Sequence, residues 1–182
     1  MNDTLKVINE RYSCRNYTDQ PLTDEQVKAI AAAAIAAPSA NNGQPWQIII
    51  VENKALVDEM DAVAMKFFAD QEDKGTYNRM MERGGSVFYN APCMVVIASR
   101  PGAGLDCGIA VENVALAASS MGLGNVICGL AGVVFSGENG EIYKEKLSFP
   151  EGYGFGMAIL IGNAADARKP HAPDFSKVTY IK

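Results

Sequence analysis

The sequence predicts an α+β fold in which a small sheet lies between layers of helix. Three observations lead there. Short β-branched, apolar runs recur at 46–51, 94–98, 125–128 and 157–161. Longer segments between them carry apolar residues at helical spacing. No internal repeat or low-complexity tract interrupts the pattern.

The elements follow in order. A short helix covers 5–10, with Leu5 and Ile8 three apart, and 11–20 reads as a loop or short extended piece. Thr23 opens the next helix with a capping box closed by Gln26, and Leu22 and Val27 are placed for a hydrophobic staple. Val27, Ile30, Ala31, Ala34 and Ile35 form its apolar stripe. Pro38 ends it, because the residue before a proline is pushed away from helical angles. The run 46–51 lacks clean alternation, which implies a strand covered on both faces. A helix over 54–70 follows, with Leu56, Val57, Met60, Val63, Ala64 and Phe67 at helical spacing. The polar, glycine-containing stretch 71–86 reads as a surface excursion with a broken helix around 77–83. After the strand at 94–98, residues 106–121 form a long helix that Gly122 stops. Its stripe is Ala110, Val114, Ala117 and Met121, flanked by small residues that allow close approach, as in a central or interface helix. A short strand at 125–128, a charged helix at 138–147 and a strand at 157–161 between Gly156 and Gly162 complete the core. The whole chain, 1–182, reads as one domain ending in an extended arm from about 163, suited to lie on a neighbouring chain.

Composition narrows the function. A chain of 182 residues buries about 70% of its unfolded surface and needs no disulfide or zinc staple. Lys and Arg total 16 against 21 Asp and Glu, a net charge of -5, which argues against a duplex nucleic-acid partner but leaves room for a small anionic ligand. No apolar run is long enough to cross a membrane. The polar start, Met1-Asn2-Asp3-Thr4, leads into no apolar run, so a cytoplasmic protein is expected. Cys14, Cys93, Cys107 and Cys128 are scattered without a C-x-x-C, and His171 is the only histidine. Metal hydrolysis and a Ser-His-Asp triad are therefore poor readings, and no metal site is expected. Gly152 to Gly156 precedes a strand instead of following one, so it is no dinucleotide fingerprint. Walker, H-E-x-x-H and G-x-S-x-G patterns are absent.

Four segments can carry chemistry. Arg11-Tyr12-Ser13-Cys14-Arg15 brings two guanidiniums and a hydroxyl together, a set that suits phosphate or a polarised carbonyl. The plainer reading is two solvated arginines at a helix end. Pro38-Ser39-Ala40-Asn41-Asn42-Gly43-Gln44-Pro45-Trp46 offers neutral donors and acceptors that can read the amide-like edges of a flat heteroaromatic ring. A helix stop followed by a turn also explains it. Gly122 to Leu130 either aims backbone N–H groups at a cavity or is an ordinary helix-to-strand turn. Arg168-Lys169-Pro170-His171 is a small cationic cluster in the tail, by default a solvated charge run.

In this order and spacing, the four segments resemble the FMN-dependent nitroreductase family over nearly the whole chain. The nonapeptide 38–46 is close to the family's P-S-x-x-N-x-Q-P-W, and Arg11, Ser13 and Arg15 match R-x-S-x-R. The resemblance implies an α/β/α sandwich with a central, mostly antiparallel sheet, built as an intertwined homodimer with FMN at the subunit interface. It places Arg11 and Ser13 at the FMN phosphate and ribityl end. Arg15 would sit near the pyrimidine edge, where negative charge accumulates on reduction. Pro38, Ser39, Asn42 and Gln44 would approach the ring from the other subunit. The backbone of Cys128 and Gly129 would face the ring nitrogen that receives hydride. Lys169 would join Arg11 at the phosphate, with Arg168 or His171 as a second tail cation. The chain departs from the family where relatives often carry an acidic residue at Cys128 and an arginine or lysine at His171. The family's aromatic substrate-gating segment is not legible in 71–86.

The implied activity is a two-step cycle in which NADH or NADPH passes a hydride to FMN and an organic acceptor, such as a nitroaromatic or quinone, then takes it. No protein nucleophile or base is required, in keeping with the single histidine. Competing readings are a reductive dehalogenase or an oxygen-using oxidase on the same fold, a non-catalytic flavin-binding protein, and a purely structural dimer.

Overall fold

In the computed structural model, residues 2–137, 140–167 and 169–182 are described. Helix α1 (Asp3–Glu10) begins two residues before the expected start, because the Asn2 side chain caps it by accepting from the Leu5 N–H at 3.0 Å. Helix α2 (Asp24–Ile35) has the full capping box: the Thr23 hydroxyl accepts from the Gln26 N–H, and the Gln26 side chain accepts from the Thr23 N–H. Such a cap contributes about 1 kcal/mol. Strand β1 (Trp46–Val51) and helix α3 (Lys54–Asp70) fall where the sequence puts them.

Helix α4 (Gly75–Glu82) starts two residues earlier than the expected broken helix, and β2 (Cys93–Ser99) extends its apolar run by one residue at each end. Helix α5 (Gly104–Ser120) precedes β3 (Gly124–Ile127), and α6 (Gly140–Lys146) precedes β4 (Gly154–Gly162). Glu138, at the expected start of α6, lies outside the described residues.

The four strands form one antiparallel sheet in the order β1-β2-β4-β3. Alternate side chains of the two central strands sort into two cores, as a pleated strand requires. Val95, Ile97, Ile159 and Ile161 pack with Ile30 of α2 and Val111 and Val114 of α5. Met94, Val96, Ala158 and Leu160 pack with Val57, Met60 and Ala64 of α3. The result is the expected helix–sheet–helix sandwich. β1 is an edge strand with Gln47 exposed, so its coverage on both faces is only partial.

Two expectations need correction, and one element is wholly unexpected. The buried stripe of α5 runs through Cys107, Ala110, Val111, Val114, Ala115 and Ala118, while Ala117 and Met121 lie at its half-exposed margin. The apolar stretch Gly129–Phe135, which has no helical spacing long enough to notice, forms a 3-10 helix that caps the α3 side. Strand β4 begins before its expected start, inside the glycine-rich stretch. There Gly156 is the extra residue of a bulge, since Ile97 pairs with Met157 and Ala98 with Phe155. A Cβ on Gly156 would stand 2.7 Å from the Cys107 sulfur and 2.8 Å from the Ile97 carbonyl oxygen, so only glycine lets α5 approach.

Candidate functional site

The segment after α1 creates the site. Arg11 caps α1, and the chain then runs extended beside β3, with Ser13 bridged in parallel to Asn125 and the Cys14 N–H donating to the Asn125 carbonyl at 2.8 Å. Extended backbone sends alternate side chains to opposite faces. Cys14 is buried, whereas Ser13 and Arg15 are exposed and Arg11 is half-buried; all of 11–15 border one cleft, with polar or charged side chains at Arg11, Tyr12, Ser13 and Arg15. The R-x-S-x-R spacing is thus converted by strand geometry into a single donor surface.

The tail completes it. The Tyr17 hydroxyl donates to the Cys14 carbonyl at 2.9 Å and to the Leu160 carbonyl at 3.3 Å, tying the N-terminal segment to β4. Thr18 and Ala165 exchange backbone bonds with Asn163 and Asn16. These bonds fix where the chain leaves β4 and bring Lys169 and His171 beside Arg11, Ser13 and Arg15 around one cleft of about 620 Å³. Arg11 is partly balanced by Glu112 of α5, at 3.9 Å. Arg168, also expected here, lies outside the described residues.

Arg15 also lines two further cavities. One, of about 250 Å³, is bordered by Cys128, Gly129 and Tyr89. The other, of about 460 Å³, is bordered by Asn16, Ser86 and Asn90. Burial pushes the Cys128 thiol up to about 11, so it is neutral at physiological pH. It donates to the Val87 carbonyl and points inward, not into the cleft. The Cys128 N–H is bonded to the Ala158 carbonyl at 2.8 Å. This narrows the expected backbone donor facing a ligand to Gly129, which is exposed. Beneath the same cavity, burial raises the Asp61 carboxyl, against the opposing pull of Ser86 and of the Phe88 N–H that it accepts at 2.8 Å.

The structure does not bring Pro38, Ser39, Asn42 or Gln44 to this cleft within one chain; none of them lines it. Their loop is nonetheless held in a defined shape. The Ser39 hydroxyl accepts from the Gln44 N–H at 2.9 Å, and the Ala40 N–H donates to Asp106 at the start of α5 at 3.0 Å. Asn41, Asn42 and Gln44 all have positive φ (52°, 53° and 42°), which non-glycine residues adopt at a cost. Sequence reasoning missed Asn16, Tyr89, Asn90 and Asp166 as cleft residues; polar residues at scattered positions give no local signal of convergence.

A cleft lined mainly by cationic and polar residues from both ends of the chain lies on an α/β/α sandwich with a four-stranded antiparallel sheet. The chain belongs to the nitroreductase family: the model of the family matches residues 8–162. A crystal structure of a nitroreductase with bound FMN from Desulfitobacterium hafniense DCB-2 is 49% identical and superposes with a TM-score of 0.98, each chain covered completely. A second nitroreductase with bound FMN, from Bacteroides fragilis NCTC 9343, is 25% identical with a TM-score of 0.90, again over 100% of both chains. The FMN reductase (NAD(P)H) of Bacillus subtilis strain 168 is 30% identical over 196 positions, covering 95% of this chain and 71% of that protein. No helix among the described residues is long and apolar enough to cross a membrane.

Proposed function

We propose that this chain is an FMN-dependent oxidoreductase that passes reducing equivalents from NADH or NADPH to an organic acceptor such as a nitroaromatic or quinone. One observation carries the reading. In a nitroreductase fold, Arg11, Ser13, Arg15, Lys169 and His171, drawn from opposite ends of the sequence, meet around one cleft, and Arg15 joins that cleft to the Cys128–Gly129 turn.

This donor set fits FMN. Guanidinium forks, an ammonium and a hydroxyl suit a phosphate. When bound, FMN supplies the redox chemistry that no side chain here supplies. Arg11, Ser13 and Lys169 hold the anionic end, with His171 beside them. Arg15 places positive charge at the junction of the cavities and favours anionic states there. Gly129 offers a backbone donor without a side chain in the way. Pro38, Ser39, Asn42 and Gln44 serve the cleft of a second copy, so the working unit is a homodimer.

An ultraviolet–visible spectrum of purified protein tests the reading. Flavin bands that bleach with NAD(P)H under anaerobic conditions and return with a nitroaromatic or quinone are expected. Protein that stays colourless after incubation with FMN defeats it. Bands that no nicotinamide bleaches leave a flavin binder without this turnover.

A further inference from the structure

We propose that Arg79 and Arg83 join Arg15 in an anion-reading rim, so that this site selects redox partners carrying a carboxylate or phosphate. The inference rests on the oxidoreductase reading above and adds a substrate class to it.

Arg79 lies in the last turn of α4, and Arg83 is its C-cap residue. Four positions apart, they fall on the same helix face. With Arg15 they line the cavity of about 250 Å³ that reaches Cys128 and Gly129. No aspartate or glutamate lines that cavity. Among the described residues, none of the three guanidiniums is in an ion pair. Arg15 donates to the Ser13 carbonyl and Arg79 to the Thr76 hydroxyl, both neutral groups. On a chain with a net charge of -5, three cations lining one small space, with Asp61 half-buried beneath it and Asp166 in the adjoining cavity, are a local reversal of sign. Their mutual repulsion is relieved by an anion bound among them.

The adjoining cavity of about 460 Å³ continues the rim. Arg15 and Arg83 meet there with Asn16, Ser86 and Asn90, and with one carboxylate, Asp166. Asp166 lines this cavity and the cleft of about 620 Å³, but not the cavity of about 250 Å³.

The rim stands on a fixed base. Gly84, Gly85, Tyr89 and Asn90 all have positive φ, at 101°, 75°, 53° and 56°. Asp61 holds the Phe88 N–H, and the Ser86 hydroxyl accepts from the Asn90 N–H at 3.4 Å. The glycines turn the chain without strain, and the bonds to Phe88 and Asn90 hold the Tyr89–Asn90 turn, where non-glycine residues have positive φ, behind the end of α4. A guanidinium pair on an ordinary solvated helix face would need no such base.

The anion has two possible sources, the acceptor and the 2′-phosphate of NADPH. Isothermal titration separates them on the purified full chain, without turnover. One pair of probes is 4-nitrobenzoate and nitrobenzene; the other is adenosine 2′,5′-bisphosphate and adenosine 5′-monophosphate. Wild-type protein is compared with R79Q/R83Q and R79K/R83K. Glutamine is a good helix former, and a melting curve confirms that each variant folds.

The expected result is an affinity ratio of about ten or more in favour of the probe with the additional anionic group in at least one pair, falling roughly tenfold in R79Q/R83Q. The lysine variant keeps much of the ratio, and added salt lowers it. Discrimination in the nitrobenzoate pair assigns the rim to the acceptor, and discrimination in the adenosine pair assigns it to NADPH. Ratios that do not change on glutamine substitution in either pair overturn the proposal. A flavin spectrum recorded on the wild-type preparation keeps the two questions apart: wild-type protein that binds no FMN defeats the oxidoreductase reading, while the titrations still decide charge selection.

Discussion

Single side chains divide the work at the cleft by the direction in which extended backbone sends them. Arg15 faces the space shared by three cavities, while its neighbour Cys14 is buried against β3. Arg15→Ala therefore leaves the proposed phosphate donors Arg11, Ser13 and Lys169 intact. The variant is expected to retain FMN but to be reduced by NAD(P)H roughly tenfold to a hundredfold more slowly, as when one preorganised electrostatic donor is lost. Anaerobic stopped-flow absorbance reads this directly, and a wild-type rate would remove Arg15 from its assigned role. Cys128 behaves oppositely. Its thiol sits at about 11 because burial penalises the thiolate, against an ordinary value of 9.0. Below about 9 the thiol is neutral in both folded and unfolded chains. As pH climbs from there through about 11, the unfolded chain ionises first, and the contribution to stability is lost. Folded protein at pH 7.5 should leave Cys128 unmodified by iodoacetamide, and denatured protein should not, as peptide mass spectrometry would show. Rapid labelling of Cys128 in the folded chain would mean that the thiol faces the cleft.

Among the elements, the contact between the 11–17 segment and β3 couples stability to the site. Gly124 opens β3, and a Cβ there would stand 2.7 Å from the Cys14 sulfur and 2.9 Å from its Cβ. Gly124→Ala must push this segment off the sheet edge, carrying Ser13 and Arg15 with it. A loss of about 1–3 kcal/mol is expected from overpacking, together with weaker FMN binding. Adding Cys14→Gly removes both clashing atoms and should restore part of each. Thermal melts and flavin titration check the pair; unchanged FMN affinity in Gly124→Ala would show that the segment can move without disturbing the cleft. Elements of this kind differ in how legible they are in sequence. The Thr23–Gln26 cap and the runs of β1 and α3 are local signals, and each fixed its element. The 129–135 helix was not legible, because its apolar residues answer to α3 and β4 instead of to their own spacing. The nearness of Arg11 and Arg15 was written in five consecutive residues. Their meeting with Lys169 depends on bonds between 16–18 and 163–165, which no local pattern encodes.

The whole molecule leaves surfaces that a single chain does not cover. Phe175, Tyr180 and Ile181 in the tail are 75%, 77% and 91% exposed, and Val178 is also exposed. Clustered apolar exposure at a chain end marks an interaction surface. Burying each such side chain against a second copy contributes about 1.5–3 kcal/mol. The exposed 38–44 loop, with Asn41 and Asn42 at positive φ, lines none of the three cavities described above. Both features have a use if two chains embrace, each arm gripping the partner and each loop serving the partner's cleft. Deleting residues 174–182 keeps Lys169 and His171 while removing the apolar grip. The shortened chain is expected to sediment as a monomer, or as a dimer that dissociates on dilution. If each loop serves the partner's cleft as proposed, FMN content per chain should fall with protein concentration. Sedimentation velocity and flavin absorbance on the same dilution series test both parts. A shortened chain that keeps the full-length mass and flavin content at every dilution would place the dimer contacts elsewhere and free the arm from its assigned role.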